Sequence, residues 1–253
     1  MKKIAFFAAL LCCYLSSPVV GQQTIATTAL NTWFQNTVQM DLNSKWSTLF
    51  EFHERTAEPF ATRSVLMIRP ALEYSLKPQL KFTLGYSLAR GFAYAPFGPD
   101  EELIENNIWE QVALSKRKET WFIGARLRFE HRWIKPKNEG VNFNHRLRFR
   151  VLLRKDFPLK NGFEVIAHLY DEFFFRQNEY LIPEAWSANR LALGLGWGYK
   201  KRAEMLFNYQ YQTNFLTGDL IVHRPTFWLT VLSKFSLQKK KKTEAAPVQG
   251  DSF

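Results

Sequence analysis

Cysteine is nearly absent. Both of the chain's 2 cysteines stand side by side, Cys12 and Cys13, in a segment read below as a removed leader. The mature chain therefore carries no disulfide, no thiol nucleophile and no cysteine metal ligand. Outside the N-terminus there is also no run of roughly 18 consecutive apolar residues, the length a membrane-crossing helix needs, and mean hydropathy is slightly negative at −0.26. Redox chemistry through sulfur and a helical membrane protein are thereby excluded. Acidic residues are the scarcer sign, 23 Asp and Glu against 34 Lys and Arg, for a net charge of +11. What is abundant is apolar: 46% of the 253 residues are hydrophobic and 16% aromatic, too many for a disordered chain. Either a core or a lipid-facing surface must exist.

Lys2 and Lys3 precede an apolar run from Ile4 to Leu15, then Ser16, Ser17 and Pro18, then Val19-Val20-Gly21. Small residues before a cut after Gly21 are what a bacterial-type secretory leader shows, so 1–21 is read as a signal peptide. A lipoprotein anchor at Cys12 or Cys13 fits poorly, since Leu11 stands where a small residue should. Losing the leader lowers Lys plus Arg from 34 to 32 against 23 acids, leaving about +9. Among partners for such a basic protein, export makes nucleic acid the least suitable, ahead of anionic lipid and acidic solutes.

From residue 31 onward the apolar pattern has period two, which places alternate residues on opposite faces of a strand. Leu80, Phe82, Leu84, Tyr86 and Leu88 share one face; Trp121, Ile123, Ala125, Leu127 and Phe129 do the same opposite Gly124, Arg126, Arg128 and Glu130. Eleven such segments occur, near 31–42, 45–56, 63–76, 79–90, 104–115, 119–133, 142–155, 162–176, 187–200, 203–214 and 220–238. Most are far longer than the usual soluble strand of about 5 or 6 residues, and a tilted strand crossing a bilayer needs about 9 to 11. Tight links such as Asn43-Ser44, Lys77-Pro78 and Lys200-Lys201 alternate with long ones such as 91–103 and 177–187. Short periplasmic turns alternating with long extracellular loops are how outer-membrane barrels are built. The expected fold is all-β, an antiparallel transmembrane up-and-down β-barrel over 31–238. A basic disordered tail follows at 239–253.

Parity raises a difficulty. A periplasmic turn at Asn43-Ser44 makes the strand at 31–42 descend, which leaves one upward strand missing. The segment 22–30 supplies it as a short first strand, for about twelve strands; a wrongly split segment would leave ten, and a lead running through the lumen is the third reading.

Short motifs recur along the chain: Trp33-Phe34-Gln35-Asn36, Lys45-Trp46-Ser47, His53-Glu54-Arg55-Thr56, Arg69-Pro70-Ala71-Leu72-Glu73-Tyr74 and Leu84-Gly85-Tyr86. Further along come Glu105 to Gln111, His145-Arg146-Leu147-Arg148, Tyr170-Asp171-Glu172 and Asn189-Arg190-Leu191. In their order and spacing the chain resembles a family of predicted bacterial outer-membrane barrels catalogued as a domain of unknown function, DUF2490. The resemblance implies an outer-membrane barrel and no established activity.

A basic set shares the inward face of two adjacent strands: Arg126, Arg128 and Arg132 beside Arg146, Arg148, Arg150 and Arg154. Glu51, Glu73, Glu130, Glu164 and Glu172 are the inward acids. Charged groups kept from bulk water need partners, so one reading is a lumen plugged by ion pairs. The other is a narrow pore or binder for small anionic solutes, since arginine's planar fork suits carboxylate and phosphate. A lipid-modifying enzyme using His53 or His168 with Ser64, Ser75 or Ser87 is an alternative that only geometry across strands can decide. A soluble periplasmic lipocalin-like binder is another, and it requires apolar residues inside. No catalytic residue, cofactor or metal is assigned: His145 and His223 fall near strand ends without metal-ligand spacing. Expected partners are outer-membrane lipids, lipopolysaccharide, the barrel assembly machinery and small acidic solutes. Asp100-Glu101-Glu102 reads as a solvated loop, and Trp46, Trp121, Trp133, Trp197, Trp228, Tyr86, Tyr199 and Tyr209 as interfacial girdles.

Overall fold

The computed structural model describes residues 23–26, 30–93, 101–177, 183–215 and 220–237. The expected leader at 1–21, Asp100 and the expected tail at 239–253 lie outside the described residues. Twelve strands run in chain order: β1 (Gln23–Ala26), β2 (Asn31–Asp41), β3 (Trp46–Ala57), β4 (Thr62–Lys77), β5 (Leu80–Gly91), β6 (Leu103–Lys118), β7 (Trp121–Pro136), β8 (Asn142–Pro158), β9 (Phe163–Gln177), β10 (Pro183–Tyr199), β11 (Ala203–Phe215) and β12 (Leu220–Ser236). Among the described residues the one helical element is a 3₁₀ turn at Lys160–Gly162, and no helix is long and apolar enough to cross a membrane.

From β2 to β12 each strand pairs antiparallel with its sequence neighbour, and β12 then pairs with β2 to close the barrel. That seam is parallel, Thr226 facing Asn31 through Ser236 facing Asp41. β1 pairs parallel with Leu220–His223, the stretch of β12 just ahead of the seam. Because β11 occupies the other edge of β12, β1 and β2 lie end to end along one edge and form a single lane. The closed wall thus has eleven strands, between the expected ten and twelve. The missing upward strand is not needed: β1 runs in the same sense as β2, and a parallel seam closes an odd number. Such closure pairs both edges of every strand from β2 to β12. With neighbours about 4.8 Å apart and tilts near 40°, eleven strands give a backbone radius of roughly 11 Å.

The short links are true reversals. Lys200 and Lys201 both take positive φ, 48° and 54°, and Arg202 N donates to Tyr199 O at 2.9 Å. Two consecutive left-handed residues make the hairpin turn whose twist matches that of its flanking strands. Register is pinned by burial, since slipping one residue would turn every side chain to the opposite face.

The polarity of the wall is inverted relative to a soluble domain. Large apolar side chains point outward, with Leu84 61% and Leu195 64% exposed and Phe82, Leu127, Phe149, Leu169, Phe207 and Phe227 in the same phase. Arg69, Arg128, Glu130, Arg148, Glu172, Arg190, Gln210 and Thr226 are buried inside. The outward and inward sets are those expected from the period-two pattern, except for Trp228: expected in an outward girdle, its ring lies inside against Trp33, His53 and Tyr170, because it shares the inward parity of Thr226. A soluble lipocalin-like barrel needs the opposite arrangement.

Candidate functional site

The interior is organised around two carboxylates. On β7, Glu130 accepts from Arg146 Nε at 2.5 Å and from Arg148 Nη1 at 2.9 Å. On β9, Glu172 accepts twice from Arg148 Nη2 at 3.0 Å, from Arg126 Nη2, and from Arg190 Nη1 at 3.5 Å. Glu130 and Glu172 are 0% and 2% exposed, so water does not screen these pairs. Strand parity produces the arrangement: Arg126↔Arg150 and Arg128↔Arg148 are directly opposite across β7–β8, and Arg150↔Glu172 across β8–β9.

Around this pair stand further cations, several over aromatic faces. Arg128 lies 3.9 Å from the Trp109 ring centroid and donates to Gln111 Oε1 through Nε and Nη2, at 3.1 and 2.9 Å. Arg69 donates to Glu51 at 3.0 Å and to Ser87 Oγ at 2.9 Å. Arg132 holds Glu105 bidentately at 2.9 and 2.8 Å. Arg55 covers Trp33 at 4.1 Å, Arg150 covers Tyr170 at 5.2 Å, and Arg148 and Arg190 each stand 4.7 Å from the Phe174 ring centroid. Stacking on a ring face partly replaces the hydration a guanidinium loses.

Charge does not balance here. Arg55, Arg69, Arg126, Arg128, Arg132, Arg146, Arg148, Arg150 and Arg190 face Glu51, Glu105, Glu130 and Glu172, nine positive groups against four negative. Among the described residues Arg55, Arg128 and Arg150 make no ion pair. Buried guanidinium nitrogens also lack any hydrogen-bond partner: Nε of Arg55, Arg126, Arg148 and Arg150, and Nη1 of Arg128. Each unmet buried donor costs about 1–3 kcal/mol, more when charged.

The expected arginine set does not form one site. Arg126, Arg128, Arg146, Arg148 and Arg150 come together with Glu130 and Glu172, and Arg132 adjoins them through Glu105. Arg154 and Glu164 belong to a second cluster nearer the short turns. There Arg154 pairs with Asp156 at 2.5 Å, Glu204 at 2.7 Å and Glu164 at 3.8 Å, and Arg117 also reaches Asp156. That cluster has more carboxylates than guanidiniums, so the lumen is positive in its middle and slightly negative toward the short turns. Lys81 neutralises Glu73 at 2.6 Å. At the opposite mouth Arg90 donates to Glu102 at 2.8 Å and holds that exposed carboxyl below its usual range.

Sequence reading missed Arg55, Arg69 and Arg190, which complete the positive layer, and the rings of Trp33, Trp109, Tyr170 and Phe174. The signal was available for the arginines, since Arg55 and Arg69 share the parity of Glu51 and Glu73 and Arg190 alternates with Leu191 and Leu193, but none of them belongs to a run of inward arginines. Trp109 lies flat over Gly85: a Cβ at Gly85 would sit inside the indole. This glycine is what lets the ring pack against the wall beneath Arg128.

The hydrolase alternative finds no supporting geometry. His53 contacts Glu51 at 3.2 Å, while Ser87 Oγ accepts from Arg69 and from Trp109 Nε1 at 3.0 Å, and Ser64 donates to Arg55 O. Among the described residues no serine hydroxyl is hydrogen-bonded to either His53 or His168.

The family model described as "Protein of unknown function (DUF2490)" matches residues 30–221, which run from the start of the parallel seam to the beginning of the last strand. No curated protein and no solved structure matches the chain. Strands β2 to β11 and the arginines and carboxylates of the central layer fall within that matched span, and the chain belongs to the DUF2490 family.

Proposed function

We propose that this protein is a bilayer-spanning barrel of the bacterial outer membrane whose occluded lumen binds small multivalent oxyanions or carboxylates. The observation that carries the proposal is the surplus of buried guanidinium groups, with unmet N–H donors, inside a wall whose outer surface is apolar.

The outer surface supports the membrane reading through its height. At the short-turn end Trp46, Trp121, Phe157, Phe163 and Tyr199 project outward, with Lys155 Nζ 4.7 Å from the Trp121 ring and Lys200 Nζ 4.9 Å from Tyr199. Aromatic rings edged by lysine are what a membrane interface favours. Outward polar residues reappear eight to twelve positions up the wall: Glu110, His131, His145, Asp171 and Asn189. Eight to twelve residues at about 3.3 Å each, tilted near 40°, span roughly 20–30 Å, close to the apolar band of an outer-membrane barrel. Export through the leader at 1–21 accords with that location.

The lumen reading favours binding over a wide pore. Trp109, Tyr170, Phe174 and Arg128 are buried at the level of the carboxylate pair, and Tyr170 donates to Gln210 on β11, two strands away. Passage of a solute through this layer requires its ion pairs to exchange with those of the solute, as in charge-selective filters.

Two measurements test the proposal. Fractionated cells should carry the protein in the outer-membrane pellet as a heat-modifiable band. Calorimetric titration of the detergent-solubilised protein with inorganic phosphate and with citrate should show saturable binding, weakened about tenfold in Arg150→Gln. Buffer-soluble protein refutes the membrane reading, and binding that is absent or insensitive to Arg150 refutes the lumen site.

A further inference from the structure

The outward face of the barrel carries a second constellation unconnected with the lumen. His131 on β7 and His145 on β8 are directly opposite each other across the antiparallel pair. Their Nδ1 atoms are 3.0 Å apart. On the far side of His131, Nε2 lies 3.2 Å from Glu110 Oε1 of β6. His145 is only 6% exposed: Phe129 stacks on it at 5.3 Å and Phe143 meets it edge-on at 4.7 Å. His131 stands edge-on to Phe129 at 4.9 Å. An aromatic collar therefore holds both imidazoles, while the His131 and Glu110 side chains, 30% and 51% exposed, leave an approach from outside.

We infer that His131 and His145 form a two-imidazole site for a borderline transition-metal ion such as Zn²⁺, Cu²⁺ or Ni²⁺, with Glu110 orienting His131. The geometry is specific on three counts. First, a carboxylate accepting from Nε2–H fixes His131 in the tautomer whose Nδ1 carries a lone pair, and this carboxylate–histidine arrangement is how metal-bound imidazoles are commonly held. Second, two nitrogens 3.0 Å apart, each about 2.0–2.1 Å from one ion, subtend roughly 94° at the metal, between the octahedral and tetrahedral ideals. Third, neutral nitrogen donors suit these ions and not Mg²⁺ or Ca²⁺, which take oxygen.

Coordination through Nδ1 of both neutral rings leaves the one N–H of each on Nε2, where Glu110 accepts that of His131. Among the described residues no group of three or more His, Cys, Asp or Glu is placed to hold a metal. The site therefore supplies two protein ligands, and solvent fills the remaining positions. Its ring of origin is the outward polar level of the wall, so the ion sits at the barrel's upper rim and not in the lumen.

The test uses the whole detergent-solubilised barrel titrated with ZnCl₂, followed by electron paramagnetic resonance of the Cu²⁺-loaded protein. The expected result is one Zn²⁺ per chain, at least tenfold weaker binding in His131→Gln and in His145→Gln, and about tenfold weaker binding in Glu110→Gln. The Cu²⁺ spectrum of the unmutated protein, which requires no variant to fold, should show hyperfine coupling to two nitrogens. Absence of saturable Zn²⁺ binding, affinity unchanged in both histidine variants, effective competition by equimolar Mg²⁺, or a Cu²⁺ spectrum without two coupled nitrogens each overturns the assignment. Because the readout is metal binding, its failure leaves the lumen proposal standing, and the reverse also holds.

Discussion

Neutralising an acid inside this barrel should cost more than neutralising a base, and the pair Glu172→Gln and Arg150→Gln measures the difference. Glu172 is the common acceptor for Arg126, Arg148 and Arg190. At an effective dielectric of about 20, a pair of charges about 4 Å apart is worth roughly 4 kcal/mol. Glutamine removes all three attractions and raises the local surplus from five positive charges to six. Relief of the carboxylate's own desolvation, several kcal/mol, offsets part of that loss. The net expectation is a loss of about 3–5 kcal/mol, the range for leaving buried charges without their partner. Among the described residues Arg150 makes no ion pair, and it stacks on Tyr170, a contact worth about 0.5–2 kcal/mol. Removing its charge also relieves repulsion from Arg126 and Arg148, so Arg150→Gln should lie within about 1 kcal/mol of the parent. Denaturant titration in one detergent, followed by tryptophan fluorescence and by the heat-modifiable gel shift, gives both values. If Arg150→Gln is as destabilising as Glu172→Gln, the positive surplus is not real and the reasoning fails.

Gly85→Ala should cost about 1–3 kcal/mol and shift tryptophan emission, because the added Cβ displaces the Trp109 ring and with it the platform of Arg128. Leu195→Arg, at a position 64% exposed and about four residues above the Tyr199 girdle, should lower folding into bilayers by about 2–4 kcal/mol; an unchanged folding yield in lipid vesicles would show that this face does not meet acyl chains. Trp33→Ala removes the edge-on contact with Trp228 at 5.7 Å across the parallel seam, together with the ring beneath Arg55 and Arg190. A cost of about 3–5 kcal/mol is expected, read as a lower temperature for loss of the compact gel band; a band as heat-resistant as the parent's would mean the seam is held elsewhere.

Much of the architecture was legible because period two is a local property. Leu80 to Leu88 and Trp121 to Phe129 declare their two faces without reference to any partner, and each face's polarity states which environment it meets. Long-short alternation of the links ordered the strands by the same local logic. Closure was not legible: whether 22–30 adds an upward strand depends on which edge it meets, and β1 meets β12 in parallel, ahead of β2 in the same lane.

The inward sign of Arg126, Arg128, Arg148 and Arg150 follows from parity along one strand, and so does the expectation that acids accompany them. Which arginine meets which carboxylate is set by curvature and register across three or more strands, as when Arg154 leaves its neighbours to reach Glu204 on β11. His131 and His145 show the same division from outside the barrel. Fourteen positions apart, they share no spacing that announces a ligand pair, and only the β7–β8 register brings their nitrogens to 3.0 Å. Side-chain polarity along a strand is a one-dimensional quantity and the chain carries it openly. Coincidence between strands is two-dimensional, and it exists only once the wall has closed.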